Sequence, residues 1–219
     1  MQVIVLIADL VDSRAVPERA TFQEELKVLL RQVSADAAPR LLSPLTLTLG
    51  DEFQAVYRSF EDVLPDLVRI LAGIAPVRAR FALAVGPLST RINPLAALEM
   101  DGPAFIRARE LMQELKSQPR SVIQVGWVDG PDPGLANAAL AMLSGMMEGW
   151  KPGTLVLLQH QLAGRSVEEI ARLMAMTPRG VYKHVAGRHL SEARALLRQV
   201  GLDLNARLKS GLPGGENDT

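Results

Sequence analysis

Residues 45–57, LTLTLGDEFQAVY, alternate apolar and polar side chains on both sides of Gly50-Asp51. The pattern predicts two short antiparallel strands joined by a two-residue turn. Gly at the first turn position is what a type II′ hairpin requires, because φ there is positive. A hairpin of this kind commits the front of the chain to an antiparallel sheet. The run Val3–Leu10 is a further strand, almost wholly apolar and carrying Asp9 near its end. If these strands are neighbours, Asp9 and Asp51 meet at one end of the sheet. Two acids so placed can hold a hard divalent cation such as Mg²⁺. Ser13 and Arg14, in the loop after the first strand, can hold a phosphate, the guanidinium through its two-pronged fork. The plainer readings are turn and cap roles for the same acids.

Helical and strand periods alternate through the rest of the front half. Residues 17–34 have helical spacing, and Pro39 and Pro44 bracket a loop before the hairpin. A second helix is expected over 60–74 and a strand over 78–86. A third helix runs from Asp101, its expected N-cap, to about Lys116, and a fifth strand covers 121–128. The order β-α-β-β-α-β-α-β begins as the split βαβ arrangement. The fold class is therefore α+β: a ferredoxin-like, palm-type antiparallel sheet with helices, followed by an all-helical helix-turn-helix domain. The expected division is a palm-like domain over 1–130, a linker and connecting helix over 131–152, a helix-turn-helix domain over 153–204 and a disordered tail over 205–219.

The second half differs in charge as well as in period. Residues 1–150 carry 14 Lys/Arg against 18 Asp/Glu, and residues 151–219 carry 10 against 6. A basic module behind a mildly acidic body points to two different partners. Within it, Ser166 with Glu169 reads as a capping box and Thr177-Pro178 as a cap followed by proline in the first helical position. Two helices joined by a short turn are the frame of a DNA reader. Arg179, Tyr182, Lys183 and His184 are expected to face outward toward bases and phosphates. Arg165, Arg172 and Arg188 are placed for backbone phosphates. The alternative use of such a pair is as a helical hairpin for dimerisation or for docking on the first domain.

There is no run of 18 apolar residues, so no membrane partner is expected. The first strand lacks the basic leader of a signal peptide. Absence of cysteine excludes disulfides and thiolate metal sites. Together these fit a cytoplasmic protein.

Four segments in this order carry a resemblance: IADLVDSR (7–14), TLGDEFQ (48–54), RFALAVG (80–86) and DGPAFIRAR (101–109). They resemble the SatD family of bacterial proteins, which also looks like a front domain followed by a helix-turn-helix. More distantly they are similar to the palm domain of class III nucleotidyl cyclases. There, a first-strand Asp and a hairpin Asp bind two metal ions that carry a nucleoside triphosphate, and Asp9 and Asp51 match those places. The resemblance also assigns Arg109 to phosphate, while Phe105 stands where those enzymes have Asn. The leading expectation is a ligand- or nucleotide-sensing regulator of transcription that binds DNA as a homodimer. The alternatives are a Mg²⁺-dependent nucleotidyl transferase or cyclase-like enzyme, and a protein-interaction module.

Overall fold

The computed structural model describes residues 1–210 apart from 39, 49 and 119–121, and leaves the side chain of Asp62 undescribed. Five strands form one sheet: β1 (Val3–Val11), β2 (Leu41–Leu47), β3 (Glu52–Tyr57), β4 (Arg78–Gly86) and β5 (Ile123–Trp127), in the order β2-β3-β1-β4-β5. Every neighbouring pair is antiparallel except β4 with β5. The first four strands thus have the split βαβ order that the sequence predicts.

The near-continuous apolar run of β1 marks a strand buried on both faces. Ile4, Leu6, Ala8 and Leu10 point into a cluster with α1 (Arg19–Asp36) and α2 (Phe60–Ile74). Val3, Val5 and Ile7 point the other way, onto α3 (Pro103–Ser117) through Phe105, Ala108 and Leu111. The segment 88–100 closes this second face with Ala97 and Met100, and the Gln54 amide donates to the Ala97 carbonyl.

The limits of several elements differ from expectation. Pro44 lies inside β2 and not in a loop before it. β2 is an edge strand with register shifts around Ser43, and a missing N–H on an open edge costs no ladder bond. At the hairpin, Thr48 N–H donates to Glu52 O at 2.8 Å, and residue 49 lies outside the described residues. Gly50 has the positive φ that its place in the turn requires, +63°.

The opposite edge is closed by side chains. The Asn137 amide donates to Val125 O at 2.8 Å and accepts from Val125 N at 2.9 Å, standing in for a sixth strand. Asn137 belongs to α4 (Gly134–Glu148), the helix expected after the linker. Asp101 does not cap α3. The helix starts on Gly102 at φ +147°, where an added Cβ would lie 2.5 Å from the Ser89 nitrogen. Asp101 instead gives its carbonyl to Ser89 N–H and Thr90 N–H.

The back of the chain is helical throughout its described part: α5 (Pro152–Leu162), α6 (Val167–Leu173), α7 (Pro178–Gly187) and α8 (Leu190–Ser210). α8 therefore occupies 205–210, the start of the tail expected to be disordered; 211–219 lie outside the described residues. The hydrophobic cluster of the sheet continues without a break through α2 into Leu157, Leu158, Leu197 and Leu204, and on to Ile170 and Val181.

Candidate functional site

At one end of the sheet, β1 and β3 place Asp9 opposite Glu52, and Leu10 N–H donates to Asp51 O at 3.0 Å. The two aspartates of the sequence reading are therefore neighbours on one rim. Ser13 joins them: it is buried and its hydroxyl donates to Asp51 Oδ2 at 2.5 Å. Asp12, at φ +54°, turns the chain into the short 3₁₀ turn 13–15 that delivers Ser13. Arg14 is exposed at the end of that turn. From α1, the Gln23 amide donates to Gly50 O at 2.6 Å, which ties the hairpin tip to the helix start.

Asp9 is mostly buried and already has cationic company. Lys116 Nζ lies 3.2 Å from Oδ1, and Arg80 Nη1 lies 3.7 Å from Oδ2. The sequence reading missed both. Arg80 is legible in principle, because it sits in register with Asp9 across β1 and β4. Lys116 is brought over by the packing of α3, which no local pattern reveals. Arg109 is not brought to this rim. It lies seven residues before Lys116, roughly 10 Å along the helix axis, and is exposed beside Asp101 at 4.0 Å.

Among the described residues, no group of three or more His, Asp or Glu side chains is placed to hold a metal ion. Two cations stand where Mg²⁺ would have to neutralise Asp9. The arrangement fits a structural ion-pair cluster better than a preformed metal centre.

The second candidate surface is the helix pair at the back. Ser166 Oγ accepts from Glu169 N at 3.2 Å while Glu169 Oε2 accepts from Ser166 N at 2.8 Å, the full capping box. This holds the Glu169 carboxyl below its usual range, through the hydrogen bonds from Ser166 first. Thr177 Oγ1 accepts from Gly180 N at 3.0 Å and starts α7. Val181 is fully buried against the first helix of the pair, and Ile170 and Ala171 face it. Arg179, Tyr182, Lys183 and Arg188 are exposed, Tyr182 by 62%. His184 does not face outward as expected. It is half-buried, with Nε2 3.0 Å from Thr154 Oγ1 on α5. Position 184 follows buried Val181 by three residues, so it shares the inward face.

A model of the SatD family matches residues 3–119. The chain belongs to the SatD family. Two solved structures are also similar, each of a bacterial light-regulated adenylyl cyclase. One is 14% identical, with a TM-score of 0.42, and the match covers 57% of this chain and 43% of that one. The other is 13% identical, with a TM-score of 0.37, and covers 57% of this chain and 74% of that one. The chain thus spans less than half of the first of these proteins. No curated protein matches it. The SatD match ends within the sheet domain, after α3 and before β5. Among the described residues, no helix is long and apolar enough to cross a membrane.

Proposed function

We propose that this SatD protein is a DNA-binding regulator in which α7 is the recognition helix and the sheet domain is the sensing half. The observation that carries the reading is the division of α7 into two faces. Val181, His184 and Val185 turn inward, while Arg179, Tyr182 and Lys183 are presented together to solvent. Their spacing sets two cations and an aromatic on adjacent turns at the N-terminal end of the helix, the end that reaches base edges in such readers. Arg165, Arg172 and Arg188 flank the face and are exposed, which suits phosphate contacts. A two-fold dimer belongs to the same proposal, because readers of this type engage paired half-sites. The test is anisotropy titration against pooled genomic duplexes over a range of salt. Binding that falls with salt and is weakened by Lys183→Glu supports the proposal. Absence of salt-dependent binding at every ionic strength overturns it.

A second reading is favoured by the meeting of Asp9 and Asp51 on one rim. In it, the acids take Mg²⁺ with a nucleoside triphosphate, and Ser13 and Arg14 serve the phosphates. Lys116 and Arg80 must then leave Asp9 for the ligand. Calorimetry with Mg²⁺ and ATP or GTP tests this directly. Heat that disappears in Asp51→Asn supports it, and no heat from any combination ends it.

A further inference from the structure

An apolar cavity of about 180 Å³ lies where the sheet meets the back helices. Its walls are Leu71 and Val77 from α2 and the turn after it, Val122 beside β5, Met147 at the end of α4 and Trp150 just after it, and Leu155 from the first turn of α5. It is on the α2 face of the sheet, whereas Asp9 faces α3, so it is a different place from the acidic rim. The walls carry almost no unmet polar demand. Ser144, the buried hydroxyl among them, already donates to Leu140 O at 2.7 Å and accepts from Val122 N at 3.2 Å. Among the described lining residues, charge appears only at the mouth. Arg78 Nη1 and Glu148 Oε1 are 3.9 Å apart there, and both side chains are at least half exposed.

We infer that this cavity is a binding site for a small apolar molecule, one ring or its aliphatic equivalent, with any polar group directed to the Arg78–Glu148 mouth. Size argues for this class. An apolar cavity of ~150 Å³ accepts a benzene-sized guest, and this one, which opens to solvent at its mouth, is slightly larger. Chemistry argues the same way, since the walls offer contact area and no buried partner for a charge. The placement gives binding a consequence. The guest touches the sheet side through Val77 and the helix-turn-helix side through Leu155, so it bears on the seam between the two halves. As a sensing site it rests on the regulator proposed above, but its occupancy is measurable without DNA.

The probe is 4-fluorobenzyl alcohol, which is neutral and of the inferred size. Ligand-observed ¹⁹F NMR on the full chain reads binding. Emission of Trp150 reads its location, with Trp127→Phe removing the only other tryptophan. The expected result is saturable line broadening with a change in Trp150 emission. Leu155→Trp and Val77→Phe, which fill the cavity from opposite walls, are expected to weaken binding at least tenfold while circular dichroism is unchanged. Should one filled variant misfold, the other decides. No saturable binding to the native chain overturns the inference, as does equal binding by a folded filled variant or an unresponsive Trp150. DNA affinity is not needed for any of these readings, so the loss of one proposal leaves the other standing.

Discussion

The sharpest prediction concerns how DNA affinity depends on salt. Five cationic side chains are exposed on the helix pair and its flanks: Arg165, Arg172, Arg179, Lys183 and Arg188. Each phosphate neutralised releases counterion, so log K falls with log salt at a slope of about −0.9 per contact. If all five meet phosphates, the slope for one module is about −4.5, and if Arg179 is spent on a base edge it is about −3.6. Raising salt from about 50 to about 200 mM then weakens binding roughly 150- to 500-fold. A two-fold dimer doubles the exponent. Lys183→Ala is expected to lower the slope by about 0.9 per module and to weaken all duplexes alike. Arg179→Ala is expected to cost about 1–3 kcal/mol at one base pair and to relax discrimination there. Anisotropy at five salt concentrations, on a selected duplex and a scrambled one, measures both. A native slope shallower than about −1 on every duplex would refute the charge arithmetic and the assignment of α7 with it.

Two further outcomes test the fold. Gly102→Ala puts a Cβ 2.5 Å from the Ser89 nitrogen at a φ of +147°, and is expected to cost about 3 kcal/mol or more in urea unfolding; a change below about 1 kcal/mol would show that the 88–102 contact yields freely. Ser166→Ala removes one half of the capping box and should cost about 1 kcal/mol. The Glu169 carboxyl is held below its usual range in the folded chain, so its contribution is present above the unfolded-state value and is lost as pH falls through the lowered one. The gap in stability between native chain and Glu169→Gln should therefore close in acid, and a gap that widens as pH falls would contradict the cap.

The parts of this molecule written in local pattern were readable from the sequence. The limits of α2 and β4, the double cap of α6 and α7 and the nearness of Asp9 to Asp51 follow from periodicity, cap chemistry and the strand order that the hairpin imposes. What escaped reading depends on partners far along the chain. Pro44 looks like a breaker until β2 is known to be an edge. His184 looks like a surface residue until Thr154 on α5 is packed beside it. Lys116 reaches Asp9 only because α3 crosses the face opposite α1 and α2. The same holds for Arg107, which pairs with Glu110 and Glu114 on its own helix but also with Asp132 from well along the chain. Burial works against the Arg107 charge, yet Asp132, with those two glutamates, lifts its affinity for the proton above the ordinary value. Asp132 comes from the linker, and its contact fastens that linker to α3.

The two halves differ in charge but share a core, and that bears on how any signal would pass. Asn205 on α8 is buried at 3% exposure. Its Oδ1 accepts from Ser59 Oγ at 3.1 Å and, at 3.4 Å, from Phe60 N–H, while its Nδ2 donates to Glu61 at 3.0 Å. The last helix thus satisfies the first turn of α2, whose own apolar face lies on the sheet. A helix pair joined by a flexible tether would unfold by itself; one seated on a shared core cannot be lost without exposing the outer side of α2, which covers the sheet. Asn205→Ala leaves the buried Phe60 N–H and the part-buried Ser59 hydroxyl, at the start of α2, without their partner and should cost about 2–3 kcal/mol. For a chain of this size that is a drop of about 4–12 °C in Tm. The expectation is that the whole transition moves down as one, by circular dichroism and by Trp150 emission alike. An early separate melting of the back helices, with the sheet unchanged, would refute the shared core. It would also mean that any ligand in the junction cavity shifts a hinge instead of tightening a seam.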